Sequence, residues 1–198
     1  MLQQIFEILG TIAFSLSGAF VGMDKKMDIL GIATMSVMTA TGGGVIRDLL
    51  IGITPPTAFR NPLFAMISLV TALLVFLPYV NRKINLDNIL WVAADSVGLG
   101  AFTMTGASMG TAFDNIFLEI FLGVVTGVGG GVIRDVCTGE ISMIFVKGFY
   151  ASPSIIGAFV YSVLSRQYPD FALFMGFAAV FSLRLLAARF NWRLPRAK

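Results

Sequence analysis

The sequence predicts an all-α membrane protein: seven transmembrane helices, arranged as two inverted three-helix repeats plus a seventh helix. Three observations carry that reading. Hydrophobic residues make up 57% of the 198 and charged residues only 13%, with a mean hydropathy of +0.86; an average globular domain is about 25% charged. Seven apolar stretches approach the ~20 residues that a helix needs to cross a bilayer. Finally, Gly42-Gly43-Gly44-Val45-Ile46-Arg47-Asp48 returns as Gly129-Gly130-Gly131-Val132-Ile133-Arg134-Asp135.

The first span covers residues 2–23 and ends at the polar run Asp24-Lys25-Lys26-Met27-Asp28. Its start has no basic region and Glu7 interrupts it, so no cleaved signal peptide is expected. The second span, 29–51, contains the first triple glycine; a loop with Pro55-Pro56 and Arg60-Asn61-Pro62 follows, since proline suits turns and helix starts. The third, 63–80, carries no charge, and a polar connector from Asn81-Arg82-Lys83 reaches Asn88. The fourth, 89–110, contains Asp95. The fifth, 116–138, contains Glu119 and the second triple glycine. The sixth, 149–165, is short, with Pro153 near its start. The seventh, 171–188, carries Arg184 and leads into a basic tail, 189–198.

The duplication extends beyond the motif. A shift of 88 positions superposes Gly10, Phe14, Gly18 and Gly22 on Gly98, Phe102, Gly106 and Gly110, and Glu7 on Asp95. The same shift places Ser15 on Thr103 and Ser17 on Thr105; a shift of 87 superposes 28–52 on 115–139. The chain therefore divides into a first repeat, 1–86, a second, 87–167, and a seventh helix with its tail, 168–198. Three crossings per repeat start the second repeat on the opposite side, which makes the halves inverted about an axis in the membrane plane. One side then collects Lys25, Lys26, Arg82, Lys83, Lys147, Arg189, Arg193, Arg196 and Lys198, and the other little beyond Arg60 and Arg166. Basic residues stay cytoplasmic, so the N-terminus is expected outside and the C-terminus inside.

Several function classes drop out. The net charge of +3 and pI near 9.2 come from loops and tail, a topology signal rather than a nucleic-acid surface. Cys137 is the single cysteine, so no intrachain disulfide forms, and histidine is absent, which leaves no zinc site or His-based triad. No nucleophile–base set or metal cluster is visible, so neither an enzyme nor a cofactor is expected.

The chemistry concentrates in the repeated motif. The Gly10 and Gly98 ridges, with glycine at every fourth position apart from Phe14 and Phe102, fit close helix packing. Three successive glycines cost a helix about 1 kcal/mol each relative to alanine, which invites a break at Gly42, Gly43 and Gly44 and at Gly129, Gly130 and Gly131. Carbonyls freed by such breaks would suit a monovalent cation near the midplane; the alternative is a kink that admits a crossing helix. Arg47-Asp48 and Arg134-Asp135 fit either ion pairs between helices or the two mouths of a polar pathway. Glu7 and Asp95 are intramembrane carboxylates, functional candidates by default. Ser15, Ser17, Thr103 and Thr105 could line a pore or bond back to their own helix. Glu119, Lys147 and Arg184 have no counterpart in the other repeat.

Two copies of this Gly-Gly-Gly-Val-Ile-Arg-Asp motif in a three-plus-three-plus-one chain resemble the prokaryotic trimeric intracellular cation (TRIC) channel family, some members of which are assigned as glycine transporters. The resemblance spans essentially the whole chain. It implies a homotrimer in the bacterial inner membrane, with one pore per protomer lined by the bent second and fifth helices, and membrane lipid and potassium or sodium ions as partners. Potassium, with some sodium, is the implied permeant ion. The alternative is a secondary transporter for a small zwitterion such as glycine, its carboxylate at a helix N-terminus and its ammonium at Asp48, Asp135 or Asp95.

Overall fold

The computed structural model describes residues 1–77, 88–146, 149–192 and 194. The expected connector around Arg82 and Lys83, together with Lys147, Arg193, Arg196 and Lys198, lies outside the described residues. Among those described the chain is all helical: α1 (Leu2–Asp24), α2 (Ile29–Leu50), α3 (Thr57–Arg60), α4 (Leu63–Phe76), α5 (Asn88–Gly110), α6 (Ile116–Cys137), α7 (Met143–Val146), α8 (Ala151–Leu164) and α9 (Pro169–Arg189). A 3₁₀ turn, Thr111–Phe113, links α5 to α6. α1, α2, α6 and α9 are each long and apolar enough to cross a membrane, while α4 and α8 are apolar helices of 14 residues. At 1.5 Å per residue, 14 residues span about 21 Å, short of a ~30 Å hydrocarbon core.

Local chemistry sets the ends alike in both halves. The Asp28 side chain caps α2 by accepting from the Gly31 N–H at 2.7 Å, and Asn115 caps α6 from the Leu118 N–H at 3.2 Å, satisfying donors that a helix start leaves open. α2 and α6 are each followed by a glycine with positive φ, Gly52 at 78° and Gly139 at 70°, where a side chain would be strained. The single-turn helices α3 and α7 follow in stretches to which the sequence assigned no helix.

α1, α2 and α4 pack together, as do α5, α6 and α8. The groups meet through α1 against α5 and α2 against α6, and α9 lies on α5 and α8. The contacts between halves are reciprocal. The Gly10 backbone faces the Phe102 ring, and Gly98 faces the Phe14 ring; the two rings lie 5.3 Å apart.

The expected helix breaks do not occur. α2 and α6 are helical straight through both triple glycines, and the cause is packing. A methyl group at Gly43 would collide with the Thr126 carbonyl oxygen of α6, and one at Gly130 with the Thr39 carbonyl oxygen of α2. Contact between the backbones offsets the poor helix propensity of glycine, so the helices stay intact and cross. No carbonyls are released by a break.

This crossing makes a prediction. Gly43→Ala and Gly130→Ala each force backbone apart and should cost about 1–3 kcal/mol. Gly44→Ala adds a methyl whose nearest neighbour outside the helix backbone is Arg47 Nη2, one turn along the same helix, at 3.6 Å, and should hold or raise stability by up to about 1 kcal/mol. Thermal unfolding in detergent should rank Gly44→Ala above both others.

Candidate functional site: two charged clusters flanking a backbone crossing

Each glycine motif delivers an arginine and an aspartate to the C-terminal end of its helix. At the end of α2, Arg47 Nε and Nη2 donate to Asp48 Oδ1 at 2.9 and 2.8 Å. Asp48 Oδ2 accepts the Thr57 N–H at 2.7 Å, which anchors α3. At the end of α6, Arg134 Nε and Nη2 donate to Asp135 Oδ1 at 3.0 and 2.9 Å. Asp135 Oδ2 accepts from Ser142 Oγ at 3.1 Å and the Met143 N–H at 3.0 Å, which anchors α7. Each aspartate thus ties the helix that carries it to the next single-turn helix.

Beyond that the clusters diverge. Arg134 Nη1 donates to Asp95 Oδ1 and to Ser17 Oγ, both at 2.6 Å, and Arg134 and Asp95 are fully buried. The Tyr150 hydroxyl reaches Asp95 Oδ1 at 3.4 Å, and the Arg134 guanidinium lies 5.2 Å from the Trp91 ring centroid. Among the described residues no hydrogen bond or ion pair joins Arg47 to Glu7, the counterpart of Asp95. In the 86-residue register that pairs Ser68 with Ser154, the partners of Ser15 and Thr103, Phe64 is the counterpart of Tyr150 and has no hydroxyl. Around Gly131 the space is taken by the Tyr150 hydroxyl, whereas Gly44 opens into a recess.

That recess, about 40 Å³, is lined by Glu7, Thr11, Gly44, Arg47 and Asp48 among others. A cavity of about 420 Å³ lies toward the other end of α1, lined by Phe20, Asp24, Lys25, Trp91, Asp135 and Glu140 among others. From Thr11 to Phe20 along α1 is roughly 14 Å; Phe14, fully buried against Gly98 and Gly130, lies between. At the cavity rim the Lys25 ammonium bonds the Glu140 carboxylate, joining the α1–α2 turn to the segment after α6.

The four candidate hydroxyls are fully buried. Ser15 donates to Ser68 at 2.9 Å and Thr103 shares a hydrogen bond with Ser154 at 2.6 Å, equivalent links between the first and third main helices of each half. Ser17 meets Arg134, and Thr105 bonds back to the Phe102 carbonyl at 3.1 Å. Tyr150, Trp91, Ser142 and Thr57 escaped the sequence reading.

The fold and its buried charges define an integral helical membrane protein with a polar core. A family model described as glycine transporter matches residues 4–79 and 92–166. The chain is 33% identical over 201 residues to the UPF0126 inner membrane protein YadS of Escherichia coli, covering 98% of this chain and 96% of that one. Two solved structures superpose closely. One, described under conductance through TRIC cation channels, has a TM-score of 0.87 and 39% identity, covering 98% of this chain and 97% of its own. The other, the TRIC trimeric intracellular cation channel orthologue from Rhodobacter sphaeroides, has a TM-score of 0.89 and 29% identity, covering 96% and 98%. The chain belongs to the prokaryotic TRIC family, whose sequence model bears the glycine transporter description.

Two predictions concern the charged groups. Asp95→Ala takes from the buried Arg134 the carboxylate that pairs with Nη1 and leaves it Asp135 alone, which should cost about 3 kcal/mol, whereas Tyr150→Phe removes one long hydrogen bond and should cost about 1 kcal/mol or less; unfolding in detergent should separate them. At the rim, bonding to Glu140 raises the Lys25 pKa, and bonding to Lys25 lowers that of Glu140. The pair's contribution should therefore persist through neutral pH. It should fade as pH falls through the lowered Glu140 value, or rises through the raised Lys25 value. The difference in melting temperature between the wild type and Glu140→Gln should vanish at both extremes.

Proposed function

We propose that the protein is a monovalent cation channel, conducting potassium and also sodium, with one pore in each protomer of a homotrimer in the bacterial inner membrane. The observation that carries this reading is the pair of Arg-Asp clusters on either side of the α2–α6 crossing, in a chain whose solved relatives are described as cation channels. In the proposed topology the seven longer helices cross the membrane, with the N-terminus outside and the C-terminus cytoplasmic. Residues 1–86 and 87–167 form the inverted repeats, and 168–198 hold the seventh helix and tail. The pore follows α2 and α6 from the Glu7–Asp48 recess past Gly42, Gly43, Gly44, Gly129, Gly130 and Gly131 to the larger cavity. Asp48 and Asp135 attract cations at its two ends, and Arg47 and Arg134 limit that charge.

With Phe14 and the backbone crossing filling the section between recess and cavity, this conformation is the closed one. Opening requires α2 and α6 to part, which clears a path for the ion along their glycine faces.

A second reading, transport of a small zwitterion such as glycine, draws on the family description and on the mixed charges of the large cavity. Purified protein in a planar bilayer under a potassium gradient separates the two. Current steps reversing near the potassium potential are expected, reduced about two- to tenfold in Asp48→Asn through loss of local attraction and abolished in Gly43→Leu. A silent bilayer with saturable glycine uptake into liposomes would establish the transporter instead.

A further inference from the structure

We propose that Arg184, on the helix that lies outside the repeat, neutralises the second charged cluster and thereby sets the electrostatic barrier that limits cation flux. The inference rests on the channel reading above. At the duplicated charged positions each repeat places one arginine and two carboxylates: Glu7, Arg47 and Asp48 in the first half, Asp95, Arg134 and Asp135 in the second. Each set alone carries one excess negative charge. The seventh helix has no equivalent beside the first half, and it packs on α5 and α8 of the second. There it inserts Arg184, which is 4% exposed, with its guanidinium 5.0 Å from the Tyr150 ring centroid. The hydroxyl of that same tyrosine reaches Asp95.

Arg184 makes no ion pair with a carboxylate among the described residues, and its buried Nε has no hydrogen-bond partner. A buried charge left this way is expensive, and a cation–π contact offsets only part of the cost. What remains to balance it is the unpaired negative charge of the Asp95–Asp135 cluster, felt across the tyrosine at low dielectric. Asp95 Oδ2, likewise buried without a hydrogen-bond partner, leaves that charge incompletely satisfied by Arg134. With Arg184 counted, two cations face two carboxylates and the second cluster is neutral, while the first keeps its excess negative charge. A cation in transit is then attracted at one cluster and not at the other, and the less attractive one limits conduction.

The test compares Arg184→Met, Arg184→Gln and Arg184→Lys with the wild type in planar bilayers. Both uncharged variants should raise potassium conductance about threefold and move the reversal potential in a potassium chloride gradient toward the potassium value. Arg184→Lys should restore wild-type behaviour. Unchanged or lowered conductance and selectivity in both uncharged variants would overturn the proposal, as would failure of both to assemble, since that would make Arg184 a structural residue. A second measurement needs no current: melting temperature in potassium chloride against choline chloride. Arg184→Met should show a potassium-dependent stabilisation larger than that of the wild type, and an identical response in the two would overturn the proposal. Stabilisation of the wild type but not Arg184→Met by inorganic phosphate would make Arg184 an anion site and overturn it equally. If the wild type passes no current, the channel reading fails while the melting comparison still decides the role of Arg184.

Discussion

Gly43 against the Thr126 carbonyl and Gly130 against the Thr39 carbonyl form one contact seen from its two sides, and the rest of the molecule is arranged around it. Lipid offers helices no hydrophobic reason to associate, so they rely on close packing and on polar contacts. A residue larger than glycine at either position would push α2 and α6 apart and with them the Arg-Asp pairs at their ends. Phe14 completes the arrangement by filling the space beside Gly130 and Gly98.

The Arg-Asp pairs perform two tasks with one aspartate each. One carboxylate oxygen holds the neighbouring arginine, and the other holds the start of a single-turn helix through Thr57 or through Ser142 and Met143. Removing water from such groups is costly, and the cost is tolerable because nearly every lone pair and N–H finds a partner. Among the charged groups of the described residues the exceptions are Asp95 Oδ2, Glu119 Oε2 and Arg184 Nε, two of them in the half against which α9 packs and the third on α9 itself. Asymmetry in this protein therefore comes from a helix added to a duplicated frame.

Equivalent residues 87 or 88 positions apart were visible from sequence, and structure gives many of them matching jobs: Asp28 and Asn115 as caps, Ser15 and Thr103 as hydroxyl links, Gly52 and Gly139 as positive-φ turns. Equivalence of type did not extend to equivalence of partner. Glu7 and Asp95 match in sequence, yet Asp95 bonds a buried arginine and Glu7 lines a recess. That difference depends on Tyr150 and on Ser17, which approaches Arg134 from 117 positions away. No local pattern encodes such a meeting.

The sequence by itself determined the apolar helical character, the recurrence of the motif and the identity of the charges placed among apolar runs, because hydropathy and spacing are properties of neighbouring residues. Only the tertiary structure decided that the triple glycines remain helical. Propensity counts what glycine costs an isolated helix, and the compensating contact is with the backbone of a helix in the other repeat, Thr126 for Gly43 and Thr39 for Gly130. The same applies to Arg184: its charge is plain in the sequence, but its meaning comes from the tyrosine it covers and the carboxylate beyond.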